Sequence, residues 1–210
     1  MVESPKPPEK GPGGSPPPLN LLDTVLRDDG PLPPARFGIR SLAFLMDFVL
    51  LILLSTFIIW KLVLPYHHPG ALKESSEWFE ALINWAQQTE RGAIPEPSLE
   101  LKSAIAMARD LQILIFWVYF AVGEAFFGGS SLGKRACRLR SISTITLGPL
   151  PIMSGIVRGG LKTLCLFFLP PMGLAVTLLA SIFNSRRQLG HDLLSRTAVV
   201  DERRIQMKNS

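Results

Sequence analysis

Asp47 sits inside an otherwise apolar run, Ser41 to Trp60, which reads SLAFLMDFVLLILLSTFIIW. A carboxylate at such a position is costly in hydrocarbon, so it needs a partner and usually has a role. Arg40 precedes it by seven residues, two helical turns, which returns the chain to nearly the same face. The axial separation is roughly 10 Å, and the arginine leans toward the helix N-terminus, away from the acid. A direct Arg40–Asp47 bond is therefore disfavoured, and each residue should pair across a bundle. Glu124 lies near the far end of a second apolar block. Arg158 and Lys162, four apart, share one helical face in a third. His191-Asp192 follows that block. The expected pairing is Asp47 and Glu124 with Arg158 and Lys162, and Arg40 with Asp192. Such a network either fixes how helices pack or forms a carboxylate pair coupled to a proton or cation.

Other chemistries find little support. Gly128 to Lys134 matches the start of a phosphate-binding loop, but Arg135 replaces the Ser/Thr needed for magnesium. An apolar helix precedes it where a strand is required. The stretch reads instead as a tight turn whose Lys134, Arg135 and Arg138 contact lipid phosphates. No nucleophile elbow, His-Glu-x-x-His or paired-cysteine motif occurs, so neither an enzyme nor a cofactor is expected. Cys137 and Cys165 have no neighbours at metal-ligand spacing, and His67-His68 reads as a solvated pair in a loop. The net charge of +5 lies beside apolar blocks, which points to topology and lipid contact rather than nucleic acid.

The elements that position these residues follow from the distribution of apolarity. Hydrophobic residues make up 47% of the 210, and mean hydropathy is +0.27 although both ends are polar. The apolar residues must be concentrated in blocks, as in membrane proteins. Residues 41–60 give one span of about 30 Å, closed by an interfacial Trp60 and Lys61. Residues 61–104 form a polar outer loop holding an amphipathic helix, 71–88, with Trp78, Leu82 and Trp85 on one face. Residues 104–127 give a second span, with Arg109 and Asp110 in its first turns, and 128–155 a basic loop.

The block 156–184 is split by Pro170-Pro171 and Gly173. The 128–155 loop holds the densest Lys/Arg cluster and is expected in the cytoplasm. A single crossing by 156–184 would then export a tail bearing Arg186, Arg187, Arg196, Arg203, Arg204 and Lys208. A re-entrant or short-helix hairpin avoids this. Two β-prone strings, 138–146 and 196–200, suggest a small cytoplasmic sheet. Residues 1–34 read as a disordered Pro/Gly-rich cytoplasmic tail. Within it Leu22, Val25 and Leu26 stand at helical spacing, as a brief turn or a docking peptide. Residues 203–210 form a basic tail. The N-terminus lacks a basic-then-apolar leader pattern, so internal segments should direct insertion. The fold class expected is an all-α membrane protein with two full spans, a C-terminal hairpin and a small cytoplasmic β element.

Three stretches together resemble the RDD family of small membrane proteins, named for an arginine and two aspartates. ARFGIRSLAFLMDFVLL carries Arg40 and Asp47 at the family spacing, with Ala43 between. GGSSLGKRACRLRSIS is similar to its G-x-T-x-G-K-R element, with Ser131 where threonine is usual. RRQLGHDLLSRTAVV supplies Asp192 and the ending Thr197-Ala198-Val199-Val200. The resemblance implies an RDD-like domain over 35–202, and with the distribution of basic residues the expectation is a multi-pass protein of the cell inner membrane with both termini cytoplasmic. Some members have been proposed as sodium/proton antiporters, and others look like accessory subunits. The implied functions are transport of a small cation or proton through Arg40, Asp47, Glu124, Arg158, Lys162 and Asp192, or a scaffold role in a membrane complex. With so few spans, an oligomer or a partner is expected.

Overall fold

The computed structural model describes residues 21–26, 30–88, 92–168 and 188–209. After a short helix α1 (Leu21–Val25), α2 (Phe37–Ile58) buries Arg40, Ala43, Asp47, Leu51 and Ser55. Steps of three and four residues mark one side of a helix. The other sides expose Leu45, Leu53 and Phe57. A π turn, Ile59–Val63, continues α2 into α3 (Leu64–His67), giving one helical run of 31 residues, Phe37–His67. The end expected at Trp60 is thus corrected. Pro65 lacks an N–H and crowds the carbonyl four residues back, and the π turn just upstream absorbs that misfit without stopping the helix.

Helix α4 (Ala71–Gln87) is tied to the chain beyond it by two indole N–H groups. Trp78 donates to the Pro95 carbonyl (3.0 Å) and Trp85 to that of Gly92 (2.9 Å). Helix α5 (Leu99–Phe126) starts at Ser98, whose Oγ caps Leu101 N at 3.0 Å. It begins five residues earlier than expected, so Arg109 and Asp110 lie three turns in, exposed and paired with each other at 2.7 Å. Among the described residues, Phe37–His67 and Leu99–Phe126 are the two helices long and apolar enough to cross a membrane, with mean hydropathies of 2.6 and 1.6. Their outward apolar side chains distinguish them from the core helices of a soluble protein, since large exposed apolar patches mark interaction surfaces.

Helix α6 (Leu132–Ala136) leads into strand β1 (Leu139–Ser143). Helix α7 (Ile152–Phe167) follows, starting four residues before the expected 156. At about 24 Å it is shorter than a hydrocarbon core. It packs closely on α5 because Gly155 and Gly159 face the α5 backbone at Glu124–Ala125 and Phe120–Ala121. The Pro170-Pro171 turn and the second arm of the expected hairpin lie outside the described residues. Helix α8 (Gly190–Leu194), strand β2 (Thr197–Asp201) and helix α9 (Glu202–Asn209) complete the chain.

Strands β1 and β2 pair antiparallel, Leu139 opposite Asp201 and Ser143 opposite Thr197. The two halves of this unit match in detail. Both α6 and α8 have five residues and end on a capping residue with nearly identical dihedrals, Cys137 (φ −86°, ψ 2°) and Ser195 (φ −87°, ψ 3°). Each then turns through a left-handed arginine, Arg138 (φ 52°) or Arg196 (φ 51°), into a five-residue strand. The strings expected at 138–146 and 196–200 are therefore trimmed. Their arginines close helices, and Thr144 to Thr146 form a turn.

Residues 21–34, expected to be disordered, are corrected where described. Leu26 is buried against Ile142, Ala198 and Val200, with Leu22 and Leu32 beside it. Ala35 N donates to Val199 O (2.9 Å) and Asp201 N to Pro33 O (3.1 Å), adding an extended segment to the edge of β2. The sheet offers an apolar face and open backbone groups, and this segment supplies both complements. The expected C-terminal tail is likewise helical, α9, and Arg203 Nη2 donates to the Cys137 carbonyl at 2.7 Å.

Candidate functional site

The charged residues converge where α2, α5, α6, α7 and α8 meet the sheet. Arg158, on α7, is completely buried between the glycines that bring its helix against α5. Its guanidinium joins two acids, Glu124 (Nη1 to Oε2, 2.7 Å) and Asp192 (Nε to Oδ1, 3.0 Å; Nη2 to Oδ1, 2.5 Å), and also donates to Ser141 Oγ. Arg40 reaches the other oxygen of Asp192 from α2. Lys134 and Lys162 both donate to Glu124 Oε1 at 2.5 Å, and Lys134 also to Ser141 Oγ at 2.7 Å. Glu124 thus holds three cations and Asp192 two. Removing one member of such a buried set typically costs about 3–5 kcal/mol, because the remaining charge is stranded.

The electrostatics outside the spans follow from this packing. Burial alone would raise the Asp192 carboxyl, but Arg158 and Arg40 overcome it and hold the group well below the usual carboxylate range. Burial pushes His191 down to about 3, and Lys162, Arg158 and Arg40 add to that against the pull of Asp192. Burial also pushes Lys134 well below the ordinary lysine range, with Arg158 assisting and Glu124 opposing.

Asp47 departs from its expected pairing with Arg158 and Lys162. Its carboxylate accepts from Tyr119 OH (2.6 Å), Ser131 Oγ (2.5 Å) and the backbone N–H of Gly133 (2.7 Å). No ion pair of Asp47 occurs among the described residues. The α6 turn comes close enough to donate only because Gly133 has no side chain. The lipid contact expected of Lys134 is also corrected, since its stem and ammonium turn inward to Glu124. Arg135 and Arg138 are exposed, and Arg135 lies over the Phe127 ring at 5.1 Å. A cavity of about 410 Å³ adjoins the cluster, and Arg40, Asp47, Lys134, Arg158, Lys162 and His191 form its polar side.

Tyr119, Ser131, Gly133 and Ser141 were not among the candidates read from sequence, and His191 was named there only beside Asp192, without a role. Ser131 carried a signal, because a hydroxyl residue stands there in the glycine-rich element. Tyr119, Ser141 and the Gly133 amide look ordinary in sequence. Their role depends on which helices meet.

Two apolar helices of membrane-spanning length around a buried network of arginines, lysines and acids define the class as a helical membrane protein built on internal charge pairing. The chain belongs to the RDD family, whose model matches residues 34–196, most of its length. No curated protein and no solved structure matches it.

Proposed function

We infer that this protein is integral to the cell inner membrane and moves, or helps another subunit to move, a proton or small cation, with Asp47 at the point of exchange. One contrast carries the reading. Glu124 and Asp192 are saturated by cations, whereas Asp47 is 2% exposed, bound by neutral donors and on the cavity wall. A carboxylate held by neutral donors can accept a proton or cation without first breaking an ion pair. Glu124, read from sequence as a second titrating acid, is assigned instead to holding α5, α6 and α7 together.

Topology supports the same picture. The pairing of β1 with β2 brings the chain after residue 188 back to the side from which α7 departs. This favours a re-entrant hairpin over a single crossing. The exposed Arg135, Arg138 and Arg140 favour a cytoplasmic location for that side, by the distribution rule for basic residues.

A pH gradient across liposomes containing the purified protein should drive cation-dependent proton flux, and Asp47→Asn should abolish it while the variant still purifies as a folded species. Equal flux in the variant would end the role of Asp47. The second reading, a scaffold subunit, draws on α4, which exposes Phe79 and Ile83. Absence of flux together with a partner crosslinked through α4 would favour it.

A further inference from the structure

We propose that the cavity beside the charge cluster binds an anionic membrane phospholipid, its phosphate on the Lys162 ammonium and an acyl chain along the apolar wall of α2. The first ground is charge. Among the described residues, the cavity lining holds the basic side chains of Arg40, Lys134, Arg158 and Lys162 and one carboxylate, Asp47. Burial keeps His191 neutral, so it does not alter that balance at physiological pH. An anion entering such a lining meets donors more than acids, and a charge-assisted hydrogen bond to one of them is favourable.

The second ground is an unused donor. The Lys162 side chain is 9% exposed, and among the described residues its ammonium has one hydrogen-bond acceptor, Glu124 Oε1. An ammonium carries three N–H groups. Lys162 lines the cavity, with its nitrogen 5.3 Å from the centre of the Phe120 ring.

The third ground is shape. Phe37, Phe44, Leu45 and Leu166 form part of the apolar wall, and Phe37 and Leu45 are exposed on the outer surface of α2. The pocket therefore runs from a cationic floor to a surface that faces acyl chains. A volume of about 410 Å³ with mostly apolar lining suits an amphiphile better than a small free anion. Basic pockets between membrane helices bind anionic headgroups in this manner. The inference goes beyond ion movement, since lipid would be held whether or not an ion passes.

The full chain in mild detergent, examined by native mass spectrometry, should retain phosphatidylglycerol in preference to phosphatidylcholine. Millimolar inorganic phosphate should not displace it. Lys162→Gln, which leaves Arg158 and Lys134 on Glu124, should weaken retention roughly tenfold, as expected for one charge-assisted hydrogen bond. Leu45→Trp should do the same by filling the apolar wall, at a position exposed enough to spare the fold. Equal retention of the two lipids, or undiminished binding in both variants, overturns the proposal. Displacement by inorganic phosphate alone would assign the site to a free anion and overturn the lipid.

Discussion

A Cβ at Gly133 would stand 2.1 Å from the carbonyl oxygen of Ala43 and 3.0 Å from Asp47 Cγ, so only glycine lets the α6 turn touch α2. Local geometry of this kind, rather than charge, decides what Asp47 binds. His191 shows charge acting in a different way. Its folded pKa of about 3 lies below the usual 6.5, so the unfolded chain binds the extra proton as pH falls. The associated stability is complete above pH 6.5 and declines toward pH 3, by about 1.4 kcal/mol per unit. Asp192 has a depressed pKa, so its contribution persists above about pH 4 and is lost only at lower pH. Thermal unfolding in detergent between pH 7 and 4.5 should therefore lower the Tm of wild type more steeply than that of His191→Gln. Parallel profiles would show that the imidazole titrates normally in the folded protein. At this scale most charged members of the site were legible in sequence, because Asp47, Glu124, Arg158 and Lys162 interrupt apolar runs, whereas Lys134 sits in a basic stretch and read as a lipid contact. The neutral donors were not, since Tyr119 or Ser131 is ordinary in its own segment and becomes a ligand only through tertiary contact.

At the scale of elements, the contact between α5 and α7 carries the cluster. A Cβ at Gly159 would meet Ala121 N at 2.7 Å, and one at Gly155 would meet Ala125 N at 2.9 Å. These glycines are four apart with Arg158 between them, a small-residue spacing that lets membrane helices approach backbone to backbone. Gly159→Val should force the helices apart, cost about 1–3 kcal/mol by overpacking, and lengthen the Arg158–Glu124 and Lys162–Glu124 bonds together. A fall in Tm, with a matching loss in Lys162→Gln that is not additive with it, is the expected result of a double-mutant cycle. Strict additivity would place the glycine and the lysine in separate units. The existence of the long helices was legible from hydropathy, because twenty apolar residues have few alternatives. Their ends were not. Pro65 signalled a stop, yet a π turn accommodated it, and Ser98 capped α5 before its apolar block began.

At the scale of the molecule, the sheet is the clasp that closes the chain on itself. Residues 30–35, β1, β2 and α9 gather at one end, through backbone bonds from Ala35 and Asp201 and the Arg203–Cys137 contact. Composition concealed the first part of this, since a Pro- and Gly-rich stretch reads as tail until Leu22, Leu26 and Leu32 meet the apolar sheet face. The helix–arginine–strand repeat was hidden for a similar reason, because its two copies share backbone geometry and few residues. In it Lys134 and Asp192, each the third-from-last helical position of its copy, supply opposite charges to one network. Paired strands cannot lie on opposite sides of a membrane. In a background with Cys137 and Cys165 replaced by alanine, Arg138→Cys and Arg203→Cys should each react with a membrane-impermeant maleimide only when the cytoplasmic side is open. Labelling of both from outside would invert the orientation but keep the hairpin. Labelling of position 203 from outside and 138 from inside would require the strands to separate and the segment between them to cross once.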